Sequence, residues 1–280
     1  MRAADARLPG SSVWSGAFLT AATWIVALGL FFPVLWMVLT GFKQEADAVT
    51  DPPKLFFEPT LDQYRAIFDR DFTPFLLNSL SATLVSTLLV IALALPAAYA
   101  LSIRPVKAWR DVLFFFISTR MLPVVGAIVP VYILARDTGL LDDVAALIIL
   151  YTGMNLPIAV WMLRSFFLEI PREVMEAAKI DGANLWRELA RVVLPLMAPG
   201  IAATALICVL FAWNEFFFSV NLTAAKAATV PVFLVGFVTS EGLFWARLSA
   251  ACTMAALPVV LAGWIAQKQL VRGLSMGAIK

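Results

Sequence analysis

The sequence predicts an all-α membrane protein with six transmembrane helices, and three observations carry that prediction. The first is composition. Of 280 residues, 61% are hydrophobic and only 14% charged, against roughly 25% charged in a soluble domain. The second is clustering. Uncharged stretches cover 13–40, 75–103, 144–163, 192–214 and 248–267, and a sixth, 112–135, is interrupted only by Arg120. A helix rising about 1.5 Å per residue needs about 20 apolar residues to cross ~30 Å of hydrocarbon, so each stretch is long enough. The third is the sign of the loops. Six spans put both termini on one side, and with that side cytoplasmic thirteen Lys and Arg lie inside against seven outside. The positive-inside rule therefore places both termini in the cytoplasm of a multi-pass protein. The chain is expected to form a single membrane domain over 1–280, with spans at about 14–40, 75–103, 112–135, 144–164, 194–220 and 247–268.

The first span follows Arg2 and Arg7, as a signal peptide would, but a signal core is about 7–15 residues. The run here extends from 13 to 40, so it reads as an uncleaved span. The external loop at 41–74 is acidic and carries Pro52, Pro53, Pro59 and Pro74. Thr60 offers an N-cap for a short surface helix there. The other external loops are shorter, so high-affinity capture of a solute has to come from another protein.

Asn78 and Ser79 open the second span. The third contains Arg120 together with Pro123 and Pro130, which break helical hydrogen bonds and create bends. The fourth contains Asn155, and the fifth holds Pro195 and Pro199 near its start and Trp213-Asn214-Glu215 near its end. An ionisable group inside a span costs several kcal/mol and faces an interior cavity or a partner as a rule. Arg120 and Glu215 lie at different depths, too far apart to pair. Asn78, Ser79, Arg120, Asn155, Trp213, Asn214 and Glu215 are the candidates for lining a translocation path. Uncharged polar groups with an indole suit a neutral polyhydroxylated solute better than a phosphate or a cation. Packing between subunits is the competing explanation for the Trp213-Asn214-Glu215 run.

There is no histidine, which removes His-based triads, His metal sites and imidazole relays. No catalytic residues and no metal ligands are assigned. Cys208 and Cys252 both fall in spans and read as small buried hydrophobes. No G-x-x-x-x-G-K-[ST] phosphate loop is present.

The loop between spans four and five, 165–193, carries the most information. Ten of the charged residues fall between Arg164 and Arg191. Pro171 suits a helix start, Glu173 and Glu176 suit its early turns and Lys179 its end, and Gly182 suits a left-handed stop. A second helix is expected from about Ala183 to Val193, entering the membrane at Leu194-Pro195. The reading is a helix–glycine turn–helix exposed to the cytosol, with Ala177 and Ala178 open to close approach by another protein.

Glu176-Ala177-Ala178, then Gly182, then Val192-Val193-Leu194-Pro195, resembles the signature of permeases in binding-protein-dependent ABC importers. Val192 stands where that pattern has isoleucine. The Asp181-Gly182-Ala183 turn, Trp213-Asn214-Glu215, Asn78-Ser79 and the tail from Gly273 to Lys280 look like the carbohydrate branch, of the maltose and polyol kind. The resemblance covers essentially the whole chain and implies a type I importer permease fold in a bacterial or archaeal inner membrane. It implies that the loop is a coupling helix docking on a cytosolic ATPase, through Glu176, Ala177, Ala178, Asp181, Gly182, Leu194 and Pro195. It also implies that the tail residues Gly277, Ala278, Ile279 and Lys280 reach the ATPase. The implied partners are two ATPase subunits that bind ATP and Mg, a second permease, an extracytoplasmic solute-binding protein and lipid, with no nucleic acid. The chain itself would need no cofactor and would not be an enzyme. The implied cargo is a sugar or sugar alcohol. An ion-coupled secondary transporter is the alternative, although no internal repeat is visible.

Overall fold

Long apolar runs in lipid have to satisfy every backbone N–H and C=O internally, and helices are the way an open chain does so. In a computed structural model, residues 13–103, 106–121, 123–239 and 242–277 are described. The helices, in chain order, are α1 (Val13–Gly41), α2 (Glu45–Ala48), α3 (Asp62–Phe68), α4 (Phe72–Ser102), α5 (Trp109–Met121), α6 (Val124–Asp137) and α7 (Val144–Leu168). They continue with α8 (Arg172–Ile180), α9 (Leu185–Arg187), a π-helical turn (Glu188–Val193), α10 (Leu194–Trp213), α11 (Phe217–Leu222), α12 (Val230–Val235) and α13 (Trp245–Gly277). The only strands among the described residues are two-residue pieces, Val238–Thr239 and Gly242–Leu243. The chain divides into two compact units.

The first unit holds the described part of Met1–Ile67 together with Leu243–Thr253. Phe18, Trp24, Ile25 and Phe31 on α1 are exposed, an apolar surface suited to lipid. At its end Gly41 permits a close approach: a Cβ there would sit 3.0 Å from the Ala250 backbone and 2.9 Å from the Tyr64 hydroxyl. The segment between α1 and α3 is organised around Lys43, which is 2% exposed. Its ammonium donates to the Lys54 carbonyl at 2.7 Å and lies over the Trp36 and Phe57 rings at 4.2 and 5.2 Å. The Thr60 hydroxyl accepts from the Asp62 N–H at the start of α3. Glu45 accepts from the Ala246 and Arg247 N–H groups, satisfying two orphan donors at the start of α13.

The second unit holds Phe68–Gly242 and the rest of the chain from Met254. Here α4 lies along α7 and α10 packs on both. Ala94, Ala98 and Ala159, all fully buried, let the backbones approach closely, as small residues do between helices in lipid. Gly200 of α10 meets the Phe166 ring of α7, where a Cβ would come within 2.5 Å. Cys208 is buried in this core.

Among the described residues five helices are long and apolar enough to span, and counting the bent α5–α6 pair as one span makes six. The third span, expected at 112–135 with bends at its prolines, is two helices, α5 and α6, meeting at 90°. Pro123 is extended (φ −65°, ψ 115°) and caps α6, since it cannot continue the hydrogen-bond ladder of α5. The fifth span differs from the expected 194–220: the helical run is Leu185–Trp213. It stops where Asn214 turns its side chain back to the Leu210 carbonyl and the Glu215 carboxylate caps α11.

Candidate functional site

The 165–193 loop folds as a helix, a glycine turn and a second helix. After Pro171, α8 runs to Ile180 and closes with two bonds, Asp181 N–H to the Ala177 carbonyl and Ala183 N–H to the Ala178 carbonyl, each 3.0 Å. Gly182 between them has φ +72°, the left-handed residue that such a closure needs. A Cβ there would meet nothing, so it is the dihedral that demands glycine. Asn184 then caps α9 by accepting the Arg187 N–H, and the π turn leads into α10 with Pro195 in its first turn.

The two faces of α8 differ. Met175 and Ala178 are buried against the chain's own core, while Glu173, Glu176, Ala177 and Asp181 are exposed. Ala178 therefore supports α8 from beneath, whereas Ala177 lies on the open side, a division that the two adjacent alanines do not announce in sequence. Ile180 is 85% and Trp186 76% exposed, so two apolar side chains flank the acidic ones on the solvent side. Their signal in sequence is large apolar residues set among polar neighbours just before and after the glycine turn. Leu194 is partly exposed. Gly277 ends α13, and Ala278, Ile279 and Lys280 lie outside the described residues.

The polar candidates in the spans are dispersed. Arg120 donates to the Met154 carbonyl at 2.8 Å and lies 5.1 Å from the Phe211 ring. It lines a cavity of about 600 Å³ with Thr119, Gly153, Met154, Pro157 and Phe218. Asn155 is fully buried, and its amide has no hydrogen-bond partner among the described residues. Trp213 donates its indole N–H to the Ala255 carbonyl of α13. Glu215 accepts from the Phe218 and Ser219 N–H groups and so caps α11. No ion pair joins Arg120 and Glu215 among the described residues.

Asn78 and Ser79 hold a loop. The Asn78 amide donates to the Lys226 and Ala228 carbonyls at 2.8 and 3.0 Å, and the Ser79 hydroxyl accepts the Val230 N–H at 2.8 Å. The same loop is gripped from its other side by Asp142, which sequence reasoning missed. Its carboxylate accepts from four successive backbone N–H groups, those of Ala224, Ala225, Lys226 and Ala227. Burial pushes the Asp142 pKa upward, but the four donors outweigh it and hold the group below its ordinary value. The only signal in sequence was its place beside Asp143, whose side chain caps α7.

A family model described as the inner membrane component of binding-protein-dependent transport systems matches residues 90–275. A sulfoquinovosyl glycerol transport system permease protein of Agrobacterium fabrum is 36% identical over 97% of each chain. A trehalose transport system permease protein of Mycobacterium tuberculosis is 33% identical, covering 89% of this chain and 92% of its own. Among solved structures, a chain of a bacterial ABC transporter involved in import of the acidic polysaccharide alginate superposes with a TM-score of 0.74. It is 23% identical and the match covers 94% of this chain and all of that one.

Proposed function

This chain belongs to the family of inner membrane components of binding-protein-dependent transport systems, and we propose that it is one permease subunit of an ATP-driven importer of a sugar or sugar alcohol. An extracytoplasmic binding protein delivers the solute, a second permease completes the pore, and two separate ATPase subunits bind ATP and Mg. Both termini face the cytoplasm. Alternating access follows from ATPase closure drawing on the loop and biasing the spans between two arrangements. Membership of this family removes the reason for an ion-coupled reading.

One observation carries the proposal: a helix–glycine turn–helix that presents Glu176, Ala177, Asp181 and flanking apolar side chains while its other face is buried in the core. Glu176 is suited to pair with a cation on the ATPase, and the small Ala177 to let it come close. The tail from Gly277 to Lys280 is assigned a second ATPase contact. The sugar assignment draws on the trehalose and sulfoquinovosyl glycerol permeases among the relatives, and the cavity beside Arg120 is the place assigned to the solute.

The test is uptake by proteoliposomes holding the whole importer, with labelled trehalose and sulfoquinovosyl glycerol as probes and an amino acid as control. ATP-dependent uptake of a sugar is expected, and it should vanish in Glu176→Lys and in Gly182→Pro while membrane insertion persists. Proline fixes φ near −65° and cannot take the +72° of Gly182. Wild-type uptake in both variants would remove the coupling role from this loop. Transport of the amino acid alone would remove the sugar assignment.

A further inference from the structure

Glu188 is a carboxylate 1% exposed, set in the turn where the loop re-enters the membrane. Burying such a group costs several kcal/mol unless hydrogen bonds compensate. The Glu188 carboxylate has polar contacts that compensate, and one of them gives it direction. It accepts a hydrogen bond from the Tyr99 hydroxyl in the last turn of α4. Tyr99 also packs edge-on to Phe167 near the end of α7, with ring centroids 5.8 Å apart at 73°. Met175 of α8 belongs to the same apolar cluster.

The backbone around Glu188 is specialised for this contact. Glu188–Val193 forms a π-helical turn, closed by the Leu194 N–H bonding the Leu189 carbonyl. A π turn inserts a residue relative to the α ladder and so rotates the helical segment before it by about 100° relative to the segment after it. The turn, which Glu188 opens, thereby sets how α9 is rotated with respect to α10.

The other end of α4 holds the Asn78 and Ser79 clamp on residues 226–230. At about 1.5 Å per residue, the 31 residues of α4 span about 45 Å. One helix thus joins the root of the α8 loop to the loop between α11 and α12, with directed hydrogen bonds at both ends.

We infer that Glu188 and Tyr99 are positioning residues forming a strut through which displacement of the α8 loop moves α4 and, at its far end, the 224–230 loop. The inference rests on the reading of the α8 loop as the ATPase dock. Apolar contacts between helices permit sliding by 1–2 Å, whereas a buried hydrogen bond has a fixed length and direction. The strut makes the loop and the span one body.

The experiment uses the assembled importer with Cys208 and Cys252 replaced and spin labels at Ala177→Cys and Ala225→Cys. The distance between them is read without nucleotide and with Mg-ATP trapped by vanadate. With Tyr99 and Glu188 intact, trapping should change the distance by less than about 1 Å, because both labels ride on one body. In Tyr99→Phe and Glu188→Leu it should shift by about 2 Å or more as the turn at Glu188, and α8 with it, slides past α4. Glu188→Gln, which keeps an acceptor for the tyrosine hydroxyl, should restore the unchanged distance. Tyr99→Phe loses one oxygen and tests the strut even where Glu188→Leu fails to assemble. An unchanged distance in Tyr99→Phe, or a large shift with the strut intact, overturns the inference. Adding the ATPase subunits should immobilise the Ala177 label; if it stays mobile, the docking reading falls and the strut with it.

Discussion

At the scale of single residues, Asp142 shows how much one carboxylate can organise. Its pKa is held below the ordinary value in the folded chain, so its stabilisation is fully present above the unfolded-state pKa. That stabilisation disappears as pH falls through the lower, folded value. Thermal melts of the purified protein should therefore show a drop in Tm on acidification that Asp142→Asn lacks. At neutral pH the asparagine should cost about 1–3 kcal/mol, because its amide nitrogen would face N–H donors instead of accepting from them. Equal acid sensitivity in both proteins would assign the drop to other groups. Such a role was not legible in sequence. The donors lie more than eighty positions away, and nothing in Leu141-Asp142-Asp143 says which of two aspartates turns inward. Gly182 was legible, because a left-handed stop is a local property of the chain.

At the scale of elements, the close passage of α10 over α7 depends on Gly200. Its missing side chain leaves room for the Phe166 ring, and a methyl group there would overlap it. Gly200→Ala should lower Tm by an amount corresponding to about 1–3 kcal/mol of overpacking, with Phe166→Leu restoring part of the loss in the double variant. A Gly200→Ala protein that melts with the wild type would show that the ring simply turns aside. Apolar length and punctuation revealed the spanning helices, and Pro123 and Pro195 marked a bend and a helix start. The π turn was invisible because Glu188-Leu189-Ala190-Arg191-Val192-Val193 continues a good helical pattern. Its extra residue goes with tertiary contacts at Glu188, which local propensity does not encode. The early end of α10 has the same origin: Trp213-Asn214-Glu215 resembles a polar patch in a span until the Glu215 carboxylate is seen capping the next helix.

At the scale of the whole molecule, the proposed orientation follows from the chain's few charges. The helical membrane architecture and the family could be read from hydropathy and from one loop motif. The dispersal of the polar span residues could not, since it depends on which helix each side chain faces. Topology is open to direct measurement with an amine-reactive reagent that does not cross lipid. Applied to the external face of sealed vesicles, it should modify Lys54 and Lys226, both exposed, and leave Lys107 and Lys268 untouched until the vesicles are opened. The reverse pattern would invert the proposed orientation.

Lys43 should stand apart in that experiment. Burial lowers its pKa, with Asp47 opposing and Lys54 adding to the effect, and a larger neutral fraction would ordinarily make an amine more nucleophilic. Access decides against reaction: the Trp36 and Phe57 rings and the Lys54 carbonyl enclose the nitrogen. A lysine on the reagent's own side that nevertheless stays unmodified is an internal gauge of folding. Its labelling would rise only when the aromatic cage opens, so a single peptide in a mass spectrum would separate intact protein from protein damaged by detergent.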